Sequence, residues 1–252
     1  MTGRVMIVGL GPGPAEWMTP EASAAIEAAS DVVGYGPYVE RLALRTDQCA
    51  HASDNRVEMD RARLALSLAA KGRTVAVVSG GDPGVFAMAA AVFEAIEDNP
   101  RWLKLDIAVK PGVTAMQAAA ARLGAPLGHD FCAISLSDNL KPWAIVERRL
   151  RAACDGDFVI ALYNPASQAR PTRIVEAFDL LRGVKALTTP VAFARAVGRA
   201  DEKLTLTTLD QADASLVDMA TLVIIGSNET RFIPRDGAGA WMLTPRAYGA
   251  CR

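Results

Sequence analysis

Three short apolar runs in the first half of the chain each end in a glycine-rich turn, and a helical pattern follows each turn. The runs cover residues 4–8, 74–78 and 105–109, and each is long enough for one buried strand. Open α/β sheets bind ligands at the edge where the carboxyl ends of their parallel strands meet. The order of these segments therefore predicts an α/β fold with a ligand site at that edge.

The three turns differ in chemistry. Gly9-Leu10-Gly11-Pro12-Gly13 is similar to a dinucleotide loop, but its third glycine comes one place early and proline stiffens it. In the second turn, Gly80 and Gly81 allow close approach to backbone amides, and Asp82 can accept hydrogen bonds from a hydroxyl or an ammonium group. In the third turn, Thr114 is placed to cap the next helix or to meet a ligand. A structural turn without a ligand is the alternative for each.

Composition excludes several classes of protein. The net charge of −1 gives no global field that would attract nucleic acid. Only two histidines occur, far apart, and the four cysteines are scattered, so a metal site is not expected. No apolar run is long enough to span a bilayer and no signal peptide is recognisable. We therefore expect a cytoplasmic protein that binds neither nucleic acid, membrane nor metal.

A segment rich in glycine and proline, residues 123–128, separates two periodic halves. We place the domain boundary there, which gives domains of residues 1–123 and 124–252. The second half holds more consecutive strand patterns than the first, which predicts a mixed sheet. Length supports this division, because 252 residues suffice for two modest cores.

Local signals predict several helix ends. Thr19 is a predicted N-cap with Pro20 at the first helical position, and Gly72 is a predicted stop for the helix over residues 60–70. The next helix is predicted over residues 84–97. In the second half, Ser137-Asp138 is predicted to cap a helix that runs to about residue 153.

Taken in order, the turn motifs Gly9-Leu10-Gly11-Pro12-Gly13, Gly80-Gly81-Asp82-Pro83 and Pro111-Gly112-Val113-Thr114-Ala115 resemble those of the tetrapyrrole methylase family. Segments 129–138 and 162–165 resemble its ring-contracting members, which act on a precorrin in cobalamin biosynthesis. The resemblance implies a class III methyltransferase with two α/β domains and S-adenosylmethionine bound in the cleft between them. It also implies a homodimer. Asn164 departs from the pattern, because many relatives carry methionine there.

The resemblance also implies roles for single residues. The implied contacts of the cofactor are Pro12, Gly80, Gly81, Asp82, Val85, Phe86, Thr114, Ala115, Tyr163, Asn164 and Val197. A tetrapyrrole carries several carboxylates, and arginine or lysine is their usual partner. Candidates for that contact are Lys141, Arg170, Arg173 and Arg195, each of which is alternatively a solvated surface charge.

Ring contraction needs a proton to move, whereas methyl transfer from a sulfonium needs mainly alignment. The candidates for moving that proton are Asp82, His129, Ser135 and Asp138. For His129 the alternative is a hydrogen bond to backbone, and for Asp138 it is helix capping.

Other functions stay open at this stage. A sister methylase that acts on another ring carbon shares the first three motifs. A ribosomal-RNA methylase of the same fold would show a basic stripe with interleaved aromatic residues, which is missing. A nicotinamide oxidoreductase would carry an acid after the second strand, where the sequence has Gly34-Tyr35. A carrier of corrinoids or nucleotides would bind without turnover.

Overall fold

The structure, a computed structural model, describes residues 3–54, 57–166, 171–237 and 239–249. The chain divides into two compact units, Met1–Ala115 and Met116–Arg252. The boundary predicted from the sequence, between residues 123 and 124, falls at the far end of the helix Ala115–Leu123.

The first unit is built on a five-stranded parallel sheet in the order β3-β2-β4-β1-β5. Its strands are β1 (Arg4–Gly9), β2 (Asp31–Tyr35), β3 (Cys49–Ser53), β4 (Thr74–Ser79) and β5 (Asp106–Lys110). Its helices are α1 (Pro20–Ala28), α2 (Gly36–Val39), α3 (Glu58–Ala70) and α4 (Met88–Asp98). Single 3-10 turns occur at Ala15–Trp17 and Pro100–Lys104.

Apolar side chains cover both faces of this sheet. Val5 and Ile7 of β1 pack with residues of α3 and α4 on one face. Met6 and Val8 pack with residues of α1 on the other face. Burial of both faces explains why the strands read as unbroken apolar runs without alternation.

Two predicted helix ends are confirmed and one is wrong. Thr19 Oγ1 accepts the Ala22 N–H at 3.1 Å, and Pro20 is the first helical residue. Gly72 follows α3 with φ of +86° and donates its N–H to the carbonyl of Ala69. The helix predicted from residue 84 begins only at Met88, because Phe86 adopts a φ of +53° that no α-helix contains.

The second unit holds a mixed sheet in the order β10-β9-β11-β8-β7, as the sequence predicted. β7 and β8 are parallel, and β11 is antiparallel to both β8 and β9. A smaller sheet has the order β12-β13-β6. The strands are β6 (Gly124–Ala125), β7 (Phe131–Ser135), β8 (Val159–Tyr163), β9 (Pro190–Arg195), β10 (Lys203–Thr208), β11 (Thr221–Ile225), β12 (Arg231–Pro234) and β13 (Ala240–Leu243).

The helices of the second unit are α5 (Ala115–Leu123), α6 (Trp143–Asp155) and α7 (Arg173–Arg182), with a 3-10 turn at Ala214–Leu216. Pro142 takes the N-cap position of α6, so the prediction that Ser137 and Asp138 cap this helix is wrong. A residue that precedes proline is pushed out of the helical region, and this delays the start of the helix. Among the described segments, no helix combines the length and apolarity needed to cross a bilayer.

Candidate functional site

The three glycine-rich turns of the first unit lie together at the carboxyl edge of its sheet. Gly11 and Gly81 exchange two backbone hydrogen bonds of 3.1 Å, which join the turn after β1 to the turn after β4. The N–H of Gly112, in the turn after β5, donates to Asp82 Oδ2 at 2.9 Å. The predicted convergence of the three turns on one edge is therefore seen in the structure.

Close packing explains why glycine occurs at positions 9, 80 and 112. A Cβ built on Gly112 would lie 2.3 Å from the carbonyl oxygen of Gly81, and one on Gly9 would lie 2.7 Å from the same atom. A Cβ on Gly80 would lie 2.7 Å from the ring of Tyr38. Contacts between protein groups thus account for glycine at Gly9, Gly80 and Gly112, and at Gly80 they support the structural alternative to close approach of a ligand.

Asp82 braces two of the turns. Its Oδ1 accepts the Gly84 N–H at 2.8 Å, and its Oδ2 accepts the Gly112 N–H at 2.9 Å. The carboxylate retains further lone pairs at the same edge, because each oxygen can accept more than one hydrogen bond. Asp82 therefore has a structural role that the sequence did not indicate, and it still offers a negative charge at the edge.

The other predicted contacts in the first unit occupy the same turns. Pro12, Val85 and Ala115 are half-buried, Thr114 is buried, and Phe86 is 53% exposed. The positive φ of Phe86 is uncommon for a bulky residue and turns the chain sharply before α4. Backbone strain of this kind is frequent at ligand sites.

Residues outside the predicted set also build this edge. Thr19 donates its hydroxyl hydrogen to the carbonyl of Pro111 at 3.2 Å, and thereby ties the start of α1 to the third turn. The guanidinium of Arg41 donates to the carbonyl of Gly13. Tyr38 lies in the short helix α2, and Arg41 follows that helix by two residues.

The second unit gathers predicted residues at the ends of three strands. β7, β8 and β9 run in one direction, so Ser135, Tyr163 and Arg195 end at one edge of the sheet. Asn164 has a φ of +50°, and its Nδ2 donates to Ser135 Oγ at 3.0 Å. The structure thus connects one predicted cofactor contact, Asn164, with one predicted proton carrier, Ser135.

Two further predicted cofactor contacts, Tyr163 and Val197, lie at the ends of β8 and β9. The hydroxyl of Tyr163 accepts the backbone N–H of Met116 at 3.1 Å. Val197 is buried and follows Ala196, a buried residue with a φ of +50°. An L-residue with a side chain pays a steric cost in this conformation, and no sequence signal marked Ala196.

Three of the four basic residues predicted to meet substrate carboxylates lie in the described part of the chain, and each of these three has an acidic or carbonyl partner. Arg173 contacts Asp138 at 2.6 Å and Glu176 at 2.7 Å, and the Asp138 carboxylate raises the pKa of Arg173. Arg195 contacts Asp201 and Asp218, and Asp201 makes the largest contribution to raising its pKa.

Lys141 Nζ donates to the carbonyl of Ser137 at 2.7 Å. Arg170 lies outside the described residues. Asp138 does not cap a helix. It forms an ion pair with Arg173, which lies 35 residues further along the chain and is brought close by the fold.

His129 lies far from the other predicted proton carriers of its unit. It precedes β7, whereas Ser135 ends β7 and Asp138 follows it, so a whole strand of about 16 Å separates them. His129 Nε2 is 2.8 Å from Ser227 Oγ, and its ring lies 4.9 Å from that of Tyr248. The structure therefore does not bring His129 together with Ser135 and Asp138.

Two observations in the described part of the chain bear on thiol and metal chemistry. Burial raises the pKa of Cys132 to about 11, so this thiol stays protonated at neutral pH. Within the described ranges, no cluster of three histidine, cysteine or acidic side chains could hold a metal ion.

A family model described as Tetrapyrrole (Corrin/Porphyrin) Methylases matches residues 4–213. The chain belongs to this family, and the resemblance inferred from the turn motifs is confirmed. It is a methyltransferase with the two-unit α/β architecture of the family.

Individual relatives narrow the class further. A precorrin-3B C(17)-methyltransferase from Sinorhizobium sp. is 59% identical over 249 residues, which cover 98% of each chain. A probable cobalt-factor III C(17)-methyltransferase from Salmonella typhimurium is 43% identical, over 96% of this chain and 98% of its own. A crystal structure of the methyltransferase CobJ superposes with a TM-score of 0.93 at 50% identity, and covers 96% of this chain and 100% of that one.

Proposed function

We propose that the protein transfers the methyl group of S-adenosylmethionine to C17 of precorrin-3B and contracts the ring to precorrin-4, in cobalamin biosynthesis. The observation that carries this proposal is the 59% identity to the Sinorhizobium precorrin-3B C(17)-methyltransferase across 98% of both chains. We further propose that the enzyme is a cytoplasmic homodimer.

The residues at the edge of the first unit fit the cofactor chemically. S-adenosylmethionine carries a sulfonium and an ammonium group, and Asp82 offers a carboxylate with lone pairs to spare. Gly81 leaves space beside it, since a Cβ there would meet nothing nearer than the Val113 carbonyl at 3.9 Å. We assign cofactor contacts to this edge and to Tyr163, Asn164 and Val197.

Alignment is the main task of these residues in methyl transfer. When bound, the cofactor supplies an electrophilic methyl group, which needs no acid or base for activation. Orientation of two reactants contributes about 7–11 kcal/mol to lowering a barrier in well-aligned systems. Pro12 and the interlocked glycine turns are suited to this task, because they leave few rotatable groups at the edge.

For ring contraction we favour Ser135 as the group that donates a hydrogen bond to a substrate oxygen. Its Oγ already accepts from Asn164 Nδ2 at 3.0 Å and from the Ser137 N–H at 3.3 Å. Both lone pairs are thus used, and the hydroxyl hydrogen remains to be donated. Asp138 is less suited to supply a proton, because the Arg173 guanidinium stabilises its charged form.

The names of the relatives leave two substrates to choose between, one that contains cobalt and one that is free of metal. The Salmonella relative at 43% identity is named for cobalt-factor III, and the Sinorhizobium relative at 59% is named for precorrin-3B. The higher identity favours the metal-free substrate, and we propose precorrin-3B on that ground.

Incubation with precorrin-3B and isotopically labelled S-adenosylmethionine tests the proposal. We expect one labelled methyl group by mass spectrometry, together with the changed absorption spectrum of a contracted ring. Cobalt-factor III in a parallel reaction should react more slowly. A methyl group without the spectral change would indicate a sister methylase, and binding without turnover would indicate a carrier. Binding of a nicotinamide cofactor but not of S-adenosylmethionine would refute the assignment.

A further inference from the structure

The segment between β7 and α6 carries one apolar side chain that contacts almost nothing. Leu140 is 99% exposed, more than any other large apolar residue among those described. Leu136, the first residue of the segment, is fully buried. Residues 137–142 therefore leave the sheet, place Leu140 in solvent and return to the helix.

The exposure of Leu140 does not arise from a loose segment. Lys141 Nζ folds back to the carbonyl of Ser137 at 2.7 Å, and Asp138 accepts from Arg173 at 2.6 Å. The Arg173 guanidinium also lies 4.8 Å from the centre of the Trp143 ring. These contacts hold Asp138 and Lys141 against the unit's own surface, whereas Leu140 and its neighbour Asn139 are exposed.

The base of the segment is joined to the proposed reaction site by one hydroxyl group. Ser135 Oγ accepts from the Ser137 N–H at 3.3 Å and from Asn164 Nδ2 at 3.0 Å. The same atom therefore fixes the start of the segment and the side chain of Asn164, a proposed cofactor contact. Leu140 is presented from the edge where the proposed function requires a substrate.

We propose that Leu140 is a substrate-contacting residue that packs against the ring system of the bound tetrapyrrole. This inference rests on the proposed function. A tetrapyrrole is acidic at its rim and apolar over its ring, so a site for it needs an apolar contact as well as cations. A second copy of the chain is the other possible occupant, but the hydrogen-bonded link to Asn164 favours the ligand.

Leu140→Ala and Leu140→Ser test this contact in the full-length protein. Binding of precorrin-3B, in the presence of S-adenosylhomocysteine to prevent turnover, is followed by quenching of tryptophan fluorescence. We expect the dissociation constant to rise at least about tenfold in both variants, because a packed leucine side chain is lost. Calorimetry should show S-adenosylhomocysteine affinity within about twofold of wild type, and light scattering should show an unchanged oligomer.

Leu103→Ala is a matched control, because Leu103 is also highly exposed, at 71%, but lies in the turn before β5. It should bind precorrin-3B like the wild type. Wild-type affinity in both Leu140 variants would overturn the inference, and so would a change of oligomeric state, which would make Leu140 a subunit contact. If the wild-type protein itself fails to bind precorrin-3B, the proposed function fails and this inference fails with it.

Discussion

Substitution of Gly112 by alanine should damage the glycine-lined edge through a single methyl group. Gly112 has no positive φ, so alanine meets no intrinsic backbone strain there. The new Cβ would instead lie 2.3 Å from the Gly81 carbonyl and 2.9 Å from the Gly9 Cα, both of which are main-chain atoms. Neither can rotate away, so the turns must separate, and we place the cost near the upper end of the usual range for overpacking, about 3 kcal/mol.

The magnitude can be checked by calorimetric melting and by binding. For a protein of this size, about 3 kcal/mol lowers the melting temperature by roughly 6–12 °C. Affinity for S-adenosylhomocysteine should fall at least about tenfold, since 1.4 kcal/mol of lost binding energy is enough for that. Gly36→Ala is the control, because its Cβ would meet nothing nearer than 3.9 Å, and it should melt like the wild type. Wild-type melting and binding in Gly112→Ala would refute the packing argument.

Two further substitutions test charged groups. Asp82→Ala should weaken binding of S-adenosylhomocysteine and lower stability by about 2 kcal/mol, because the Gly84 and Gly112 N–H groups lose a charged acceptor; an unchanged dissociation constant would remove Asp82 from the site. Burial alone would raise the pKa of Asp31, but hydrogen bonds from Arg73, His51 and Ser30 outweigh it and lower the pKa. These hydrogen bonds to the charged carboxylate stabilise the folded protein. The stabilisation is fully present above the unfolded pKa of about 3.9 and is lost as the pH falls through the lower folded pKa. Urea unfolding should therefore show Asp31→Asn less stable than wild type by about 2 kcal/mol at pH 6, with the gap narrowing below pH of about 4; parallel curves would contradict this.

Patterns within single segments predicted much of the first unit. The runs of valine and isoleucine indicated β1 and β4 because both faces of a parallel sheet are buried, and Thr19-Pro20 indicated the start of α1 because capping is a local interaction. β3 was missed, since its sequence, Cys-Ala-His-Ala-Ser, has no apolar periodicity and its edge position derives from pairing with β2. The two-residue strand β6 is likewise defined only by its partner β13.

The candidate site was predictable where chemistry follows from adjacent residues, and not where it depends on distant ones. The turn motifs identified the correct edge and the family. They did not reveal that the glycines pack against one another, because that contact joins residues about 70 and 30 positions apart. The pairing of Asp138 with Arg173 and of His129 with Ser227 arises in the same way, from strands and helices that fold side by side.

The contact among Gly9, Gly81 and Gly112 also limits which substitutions this edge can accept during evolution. Main-chain atoms meet there without intervening side chains, so no compensating mutation nearby can relieve a larger residue. Variation in what the edge accepts must therefore enter through side chains such as the half-buried Val85 and the exposed Phe86, while packing fixes Gly9 and Gly112 and a φ of +71° favours glycine at position 81. An engineer who aims at a different methyl donor should randomise positions such as these two and leave the interlocked glycines untouched.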